Sequence, residues 1–266
     1  MADRVNVEFS DHVALVTLNR ADKRNAVDMA MFDALLDTSA EIRETRGVRA
    51  VVLRGNGPDF CAGIDVTVFG GAGIGADGPD ILTPLDGMAA NIVQSSAMIW
   101  RDMPVPVITA LHGAVFGAGL QIAMGADVRI AAPDARLSVM EVRWGLIPDM
   151  ALTNTFRHVV RQDYLRELTY TGRVVTADEG RELGLVTRLS ESPLEDALAL
   201  AAEIAGKSPD AIRGSKELIN RSWEMSPDEA LRLEAELQAR VLSGSNQLEA
   251  AKANLGKRSP VFSDPE

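Results

Sequence analysis

The feature that most constrains the fold of this chain is an uncharged stretch from Met103 to Ala126, in which His112 is the one titratable side chain. A run of this length could span a bilayer as a helix. Pro104 and Pro106 stand at its start, however, glycines cluster in its middle, and the apolar pattern continues past Asp127. We therefore predict a buried strand, VPVITAL, then a glycine loop and a buried helix, and no membrane span.

Strand and helix signals alternate through the first part of the chain. NVEFSDHVALVTLN predicts two strands joined by a polar turn at Ser10-Asp11, and the stretch from Asp28 to Arg43 has apolar residues at helical spacing. VRAVVLRGN is a β-branched run typical of a strand, and a helix around Ala89–Arg101 and a strand at ADVRIAA follow. Strand, helix and strand in succession indicate βαβ units and a parallel sheet. The predicted fold class is α/β, with the core over residues 1–193.

The sequence changes character from about Leu194 onward. Residues 194–266 read as long amphipathic helices rich in Ala, Leu and Glu, several with Ser-Pro starts, and no strand signal returns. Helices with apolar faces and no sheet of their own must pack on the core or on a neighbouring subunit. We therefore expect 194–266 to be a helical C-terminal oligomerisation segment.

Composition argues against several classes of function. The net charge of −11 opposes a general nucleic-acid surface, which needs clustered cations. The single cysteine, Cys61, leaves no intrachain disulfide and suits a reducing compartment. His12, His112 and His158 lack ligand spacing, so we expect no metal site. The opening MADRVNVEF has early charges and no apolar core of a secretory signal, which predicts a cytoplasmic protein.

The stretch Gly70–Gly87 is too rich in glycine and proline for a regular element, and we expect a mobile loop or lid. It contains Gly73-Ile-Gly75-Ala-Asp-Gly78, which formally matches the dinucleotide-binding fingerprint. That fingerprint must open a helix, and Pro79 and Pro84 follow it instead. Nicotinamide binding is therefore not predicted.

Two glycine-containing segments could supply backbone donors to a pocket. Gly63 in NGPDFCAGIDV follows a strand, and HGAVFGAGLQIAM opens a helix behind Gly113, Gly117 and Gly119. The N–H groups at a helix start have no partner within the helix. Two such donors that converge form an oxyanion hole, although glycines that only permit tight turns and close packing would give the same pattern.

Three motifs together resemble the enoyl-CoA hydratase/isomerase, or crotonase, family. They are FCAGIDV, the long run from HGAVFGAGLQIAMGADVRI to EVRWGLIPD, and TGRVVTADEGRELGLV. The resemblance extends from LVTLNRADKRNAV to KRSPVF and implies a crotonase-like core of ββα units with a helical C-terminal segment. It also implies an acyl-CoA substrate, with coenzyme A as part of the substrate and no other cofactor. By position, the amides of Ile64 and Ala118 would hold the thioester oxygen of the enolate.

The acid–base residues depart from the hydratase pattern. The second glutamate of that pattern corresponds to Glu141, but the first falls on Gln121, whose amide cannot act as a general base. Asp149 corresponds to an aspartate of the dienoyl-CoA isomerase branch, which also has an aspartate where Gln121 stands. The resemblance therefore favours double-bond isomerisation by Glu141 and Asp149. Hydration of a 2-enoyl-CoA is the alternative, and Gln121 also leaves open a catalytically silent acyl-CoA-binding subunit.

Structural roles could also account for these residues. Glu141 could pair with Arg143 or Arg136, and Asp149 could cap the helix that begins in MALTNTFRHVV. Gln121 could simply bridge its helix to a loop. The sequence leaves these readings open.

Coenzyme A contacts are implied at both ends of the chain. Lys23 and Arg24 lie on the loop that lines the adenine and pantetheine site in the family, and the resemblance adds Ala62 to that site. An ordinary solvated basic pair is the alternative reading of Lys23 and Arg24. Lys257 and Arg258 resemble a C-terminal basic pair that reaches a neighbour's CoA in trimers. We accordingly expect a homotrimer or a dimer of trimers.

Overall fold

The computed structural model of the protein describes residues 3–68, 81–242 and 244–264. Nine strands are found there: β1 (Val5–Ser10), β2 (Val13–Leu18), β3 (Ala50–Gly55), β4 (Val107–Leu111), β5 (Ala114–Phe116), β6 (Val128–Ala131), β7 (Arg136–Ser138), β8 (Val175–Thr176) and β9 (Arg188–Leu189). The helices are α1 (Met29–Glu44), α2 (Ile92–Arg101), α3 (Ala118–Met124), α4 (Leu152–Thr155), α5 (Gln162–Thr171), α6 (Ala177–Leu183), α7 (Pro193–Ala205), α8 (Pro209–Ser222), α9 (Pro227–Val241) and α10 (Ser245–Leu255).

A six-stranded sheet in the order β1-β2-β3-β4-β6-β9 forms the centre of the fold. β1 pairs antiparallel with β2, and every later pairing in this sheet is parallel. A second sheet, in the order β5-β7-β8, lies beside it. The predicted α/β class with a parallel sheet is confirmed. The Gly73–Gly78 segment, which matches the dinucleotide fingerprint only formally, lies outside the described residues, as does most of the predicted loop or lid at Gly70–Gly87.

The β1–β2 hairpin turns one residue later than predicted. Asp11 and His12 both adopt positive φ, at 48° and 68°, and Ser10 still pairs with Val13. A two-residue turn with positive φ at both positions matches the right-handed twist of the flanking strands. The turn therefore lies at Asp11-His12 and not at Ser10-Asp11.

The uncharged stretch forms the predicted strand and buried helix, but the predicted loop between them contains the short strand β5. All five residues of β4 and all seven residues of α3 are buried. Within the described parts of the chain, no helix combines the length and the apolarity needed to cross a membrane. The absence of charge in this stretch reflects its position at the centre of the fold.

The helix that precedes this stretch begins later than the pattern predicts. Asn91 accepts a hydrogen bond from the backbone of Gln94, and the Gln94 side chain accepts one from the Asn91 backbone. This reciprocal capping fixes the start of α2 at Ile92, whereas we expected a start near Ala89.

The first C-terminal helix, α7, covers one face of the sheet. Ala197, Ala201 and Ala205 form a small-residue stripe that packs with Val52 of β3 and Ile108 of β4 in one buried cluster. Small side chains let the helix approach the sheet closely. The helical C-terminal segment thus begins with an element of the core's own packing.

A buried lysine attaches α8 to the core. Lys216 Nζ donates hydrogen bonds to the carbonyl oxygens of Trp100 and Val105, and forms a 2.7 Å ion pair with Asp127. Burial lowers the pKa of Lys216, and the Asp127 charge opposes that shift. Because every proton of the ammonium group has an acceptor, this burial is tolerated.

The remaining C-terminal helices leave large apolar side chains in contact with solvent. α9 and α10 pack against α8. Ile219, Trp223, Leu231 and Leu255 are nevertheless 59%, 68%, 62% and 88% exposed in the single chain. Exposed apolar surface of this kind marks a face that can pack against another molecule.

The packing of α7 predicts opposite effects of leucine at two adjacent positions. Ala201 is fully buried against the sheet, whereas Ala202 is exposed. Ala201→Leu should lower the free energy of unfolding by about 1–3 kcal/mol, because a well-packed interface cannot accept the added side chain without strain. Ala202→Leu is the matched control and should change it by less than about 0.5 kcal/mol. Urea unfolding measures both values, and equal effects would contradict the sheet-covering role of α7.

Candidate active site

The backbone around Ile64 presents a free donor. Val27 donates to the Gly63 carbonyl at 2.8 Å, and Asp65 donates to the Val27 carbonyl at 2.9 Å. Hydrogen-bonding groups alternate direction along an extended chain, so the N–H of Ile64 points away from Val27. Among the described residues it has no hydrogen-bond partner.

A second free donor lies at the start of α3. The N–H of Gly117 donates to the Ser138 carbonyl, and the next amide, that of Ala118, has no partner within the helix. The two donor segments are close neighbours. A Cβ placed on Gly63 would lie 3.1 Å from the Phe116 carbonyl oxygen and 4.0 Å from the Ala118 nitrogen. Gly63 has a φ of 104°, so both its conformation and this close approach favour glycine.

Glu141 lies beside the start of α3. It begins a short 3₁₀ turn, Glu141–Trp144, and a Cβ on Gly117 would lie 3.3 Å from its Oε1 atom. Oε1 accepts a 2.6 Å hydrogen bond from Gln121 Nε2, whereas Oε2 is buried and has no hydrogen-bond partner in the described part of the chain. Glu141 forms no ion pair with any described residue, so the predicted alternative of a pair with Arg143 or Arg136 is not found.

Gln121 connects α3 to two other segments. Its side chain is 1% exposed, its Nε2 donates to Glu141, and its Oε1 accepts a 3.0 Å hydrogen bond from the Met150 backbone. The sequence alternative of a bridge between helix and loop is therefore present. The same amide also contacts the candidate acid–base carboxyl.

Asp149 lies next to this bridge on an exposed segment. The N-cap of α4 is Ala151, and it makes no side-chain cap hydrogen bond, so Asp149 does not serve as the predicted helix cap. Desolvation by the surrounding protein raises the pKa of Asp149. Burial also raises the pKa of Glu141, and the Asp149 charge raises it further. The two carboxyls therefore interact, and the charge of Asp149 disfavours ionisation of Glu141.

Three of the four candidate CoA residues, Lys23, Arg24 and Ala62, lie together beside the donor segment of Ile64. Lys23 ends a 3₁₀ turn, and Arg24 follows in a left-handed conformation with its carbonyl accepting from the Ala62 amide at 2.9 Å. The Arg24 guanidinium makes two hydrogen bonds to Asp59, at 2.6 and 3.0 Å. Arg24 is thus engaged with a carboxylate, and Lys23 carries the exposed, unpaired charge among these residues.

Sequence reasoning missed two buried polar residues that hold this loop. Asp59 is 4% exposed and also accepts from the Ala114 amide, while Asn25 is fully buried and donates to the carbonyls of Asn56, Asp59 and Phe60. The bonds from Arg24 lower the pKa of Asp59. Neither residue belongs to a spacing pattern that would single it out in a sequence.

Lys257 lies apart from the other predicted residues. It follows α10 with a φ of 49°, is exposed, and has no described contact with the Ile64, Ala118 or Glu141 segments. Its neighbour Arg258 is paired with Glu249 at 2.6 Å. Within a single chain, the structure does not bring Lys257 to the site.

Two further groups can be judged chemically. Cys61 is buried in the donor segment, and burial raises the pKa of its thiol to about 12, which leaves it neutral and unreactive. In the described part of the chain, no group of three or more His, Cys, Asp or Glu side chains could hold a metal ion. The described groups at the site that can act chemically are the backbone donors and the two carboxyls.

Proteins of known family share the sequence and the architecture of this chain. The sequence profile of the family described as Enoyl-CoA hydratase/isomerase matches residues 8–265. The mouse mitochondrial Delta(3,5)-Delta(2,4)-dienoyl-CoA isomerase is 33% identical over 93% of this chain and 77% of its own length. A crystal structure of enoyl-CoA hydratase from Bacillus anthracis superimposes with a TM-score of 0.89 at 28% identity, covering 97% of this chain and 98% of that one. The enoyl-CoA hydratase from Mycobacterium tuberculosis H37Rv superimposes with a TM-score of 0.86 at 28% identity, covering 98% of this chain and 99% of that one.

The family match covers nearly the whole chain, and the resemblance predicted from the sequence motifs is confirmed. The protein is an enzyme of the enoyl-CoA hydratase/isomerase family and has the crotonase fold.

Proposed function

We propose that this enzyme isomerises double bonds of an enoyl- or dienoyl-CoA, with Glu141 and Asp149 as its acid–base pair. The observation that carries the proposal is the unpartnered, buried Oε2 atom of Glu141, which has a second carboxyl nearby and no basic residue paired to it. A carboxyl in such surroundings is suited to hold and release a proton. Moving a double bond requires one group to remove a proton and another to deliver one.

The backbone amides of Ile64 and Ala118 would form the oxyanion hole. They are unpartnered among the described residues, directly follow Gly63 and Gly117, and lie on segments in close contact. Backbone donors suit an enolate oxygen because they are fixed in place, uncharged and cannot lose a proton at neutral pH. The nearby Lys23, Arg24 and Ala62 loop is proposed to hold the CoA portion of the substrate.

We assign the role of base to Asp149, which is exposed, and the role of acid to Glu141, whose Oε2 is buried. Asp149, ionised, would take the C2 proton of a 3,5-dienoyl-CoA, and the bonding electrons would move to the thioester oxygen. Glu141, neutral, would then give its proton to C6 as the electrons return, which leaves double bonds at C2 and C4. The acyl chain of the substrate loses one proton and gains one, so the reaction is an isomerisation. Proton transfer through solvent at the exposed Asp149 would restore the starting state.

Hydration of a 2-enoyl-CoA is the second candidate, because the two solved structures compared above are named as hydratases. Gln121 argues against it, since an amide cannot share a water proton as a carboxylate does. A catalytically silent acyl-CoA-binding subunit would bind CoA esters without turnover of either kind.

We also propose assembly as a homotrimer or a dimer of trimers. The exposed apolar side chains of α8, α9 and α10 would be covered by neighbouring copies. In such an assembly, Lys257 could reach the CoA of a neighbour. The net charge of −11 disfavours nucleic acid as a further partner.

The proposed location is the cytoplasm. The free, buried thiol of Cys61 is compatible with that reducing compartment. The mouse relative is named as mitochondrial, so fractionation of the source cells discriminates between the two compartments.

Glu141→Gln and Asp149→Asn should each lower kcat for conversion of a 3,5-dienoyl-CoA to the 2,4-dienoyl-CoA by about 10²–10⁴-fold, because each removes one proton-transfer group. Binding of the CoA ester should be nearly unchanged, since the oxyanion donors are backbone amides. Absorbance of the conjugated product and calorimetric titration measure the two effects. Glu182→Gln on the exposed face of α6 is the control, and full activity in Glu141→Gln would refute the proposal.

Gln121→Glu should create or raise hydration of a short 2-enoyl-CoA, because the new carboxyl could share the protons of an attacking water with Glu141. The gain should appear in kcat more than in KM. Hydration of crotonyl-CoA by the unaltered enzyme at about 10 s⁻¹ or more, a rate typical of enzymes, would show that Gln121 is no obstacle and would favour the hydratase.

Truncation after residue 193 should give insoluble or inactive monomeric protein. It removes α7 from the sheet face and, with α8 to α10, the surface proposed for assembly. Light scattering and an activity assay measure the outcome. A soluble, active trimer of residues 1–193 would contradict this account.

A further inference from the structure

The orientation of the Gln121 amide is fixed by the backbone of Met150. The Met150 N–H can only donate, so the Gln121 atom that faces it, at 3.0 Å, must be the carbonyl oxygen Oε1. The NH₂ group of Gln121 must therefore face the other way, toward Glu141 Oε1 at 2.6 Å. The side chain is 1% exposed. If the amide were flipped, its NH₂ group would face the Met150 N–H, and two donors would oppose each other.

This orientation makes the two oxygens of Glu141 different. Oε1 faces an N–H donor, so it is an acceptor in either protonation state of the carboxyl. Oε2 is buried and has no described partner. In a neutral carboxyl the carbonyl oxygen is a better acceptor than the hydroxyl oxygen, so the 2.6 Å bond from Gln121 favours C=O at Oε1 and the hydrogen on Oε2.

We infer that Met150 and Gln121 act as a positioning relay that confines the transferable proton of Glu141 to Oε2. The backbone amide of Met150 orients Gln121, and Gln121 in turn holds Oε1 as an acceptor. Oε2 is then the oxygen that gives the proton to the substrate and later regains one. The inference rests on the proposed acid–base function of Glu141, but the position of the proton on the neutral carboxyl can be measured without turnover.

The relay also links the two proposed acid–base residues. Met150 directly follows Asp149, so one backbone amide fixes both the segment that carries Asp149 and, through Gln121, the carboxyl of Glu141. Asp149 is the described charged group that acts on Glu141. Arg143, on the same turn as Glu141, packs instead against Gly172. A substitution at Gln121 should therefore alter Glu141 without adding a new cation to its surroundings.

Infrared spectroscopy tests the proton position without any turnover. In protein with ¹³C-labelled glutamate, the difference between spectra at low and high pH contains the carboxyl C=O band of neutral Glu141, which Glu141→Gln assigns by removing it. We expect this band at the wavenumber of a hydrogen-bonded carbonyl, because the C=O oxygen is Oε1, which accepts from Gln121. In Gln121→Met, which removes the donor, the band should move to higher wavenumber. An unchanged band would overturn the inference.

Two further variants guard against misfolding and nonspecific change. Gln162→Met, at the exposed start of α5, is the matched control and should leave the band in place. Gln121→Glu retains an acceptor for Met150 if Gln121→Met fails to fold. Its second oxygen can share the Glu141 proton at Oε1, so the C=O moves to Oε2 and the band should again rise. A band that stays in place in this variant would also overturn the inference.

The pH profile gives a second readout that a merely structural role would not produce. The hydrogen bond from Gln121 lowers the pKa of Glu141, so its loss in Gln121→Met raises that pKa. Glu141 acts in its protonated form, and the alkaline limb of kcat should therefore move to higher pH while the limb due to Asp149 stays. kcat should fall at least about 10-fold with KM changed less than about 3-fold. A lower kcat with both limbs in place would contradict the relay.

The failure of the inference and the failure of the proposed function are distinguishable. If the enzyme isomerises no dienoyl-CoA, the band shift still reports which oxygen of Glu141 holds the proton. If isomerisation depends on Glu141 and the band does not respond to Gln121, the relay alone is wrong.

Discussion

Direct contact between two backbone segments is the constraint on which the site depends. The chain after β3, residues 58–63, lies against the chain from β4 to α3, residues 113–119. A Cβ on Gly113 would lie 2.2 Å from the Pro58 carbonyl oxygen, and one on Gly119 would lie 2.5 Å from that of Cys61. At such separations no side chain fits on either glycine. The two unpartnered amides can therefore be neighbours only because the chain has glycine at these positions.

Charges around this contact are neutralised in a consistent way. Arg20 pairs with Asp65 at 2.7 Å, and hydrogen bonds from Thr67 together with Arg20 lower the pKa of Asp65 to about 2. Asp59 is held by Arg24 in the same manner. Each of these carboxylates is stabilised as an anion and can take no part in proton transfer near neutral pH. Glu141 forms no ion pair with any described residue, and burial raises its pKa, so it differs from them in the property that acid–base chemistry requires.

The sequence predicted elements better than their boundaries. Apolar periodicity located β2, β3, β4 and α3, because buried strands and helices need continuous apolar surface whatever packs on them. It missed the start of α2, which the Asn91 and Gln94 capping pair sets, and it placed the β1–β2 turn one residue early. Boundaries depend on individual hydrogen bonds and backbone angles, to which hydrophobic patterning is insensitive.

The residues of the candidate site that belong to sequence motifs could be predicted. The residues that join it only through side-chain contacts could not. Ile64, Ala118 and Glu141 follow from the family resemblance of their motifs, and the structure brings their segments together. Asp59 and the link from Gln121 to the Met150 backbone gave no sequence signal, since both arise from pairs of residues distant along the chain.

Position 121 separates the two candidate reactions on physical grounds. A carboxylate at position 121 would lie at hydrogen-bond distance from Glu141, and two carboxyls so close must share a proton. Such a pair could also share the protons of an attacking water. The amide of Gln121 brings no charge and no transferable proton, yet it satisfies Oε1 of Glu141 and the Met150 backbone. In the proposed isomerisation, one transferable proton then remains for Glu141 and Asp149 to exchange with substrate. That count suits removal and return of a proton along an acyl chain, and it lacks the second carboxyl that addition of water would use.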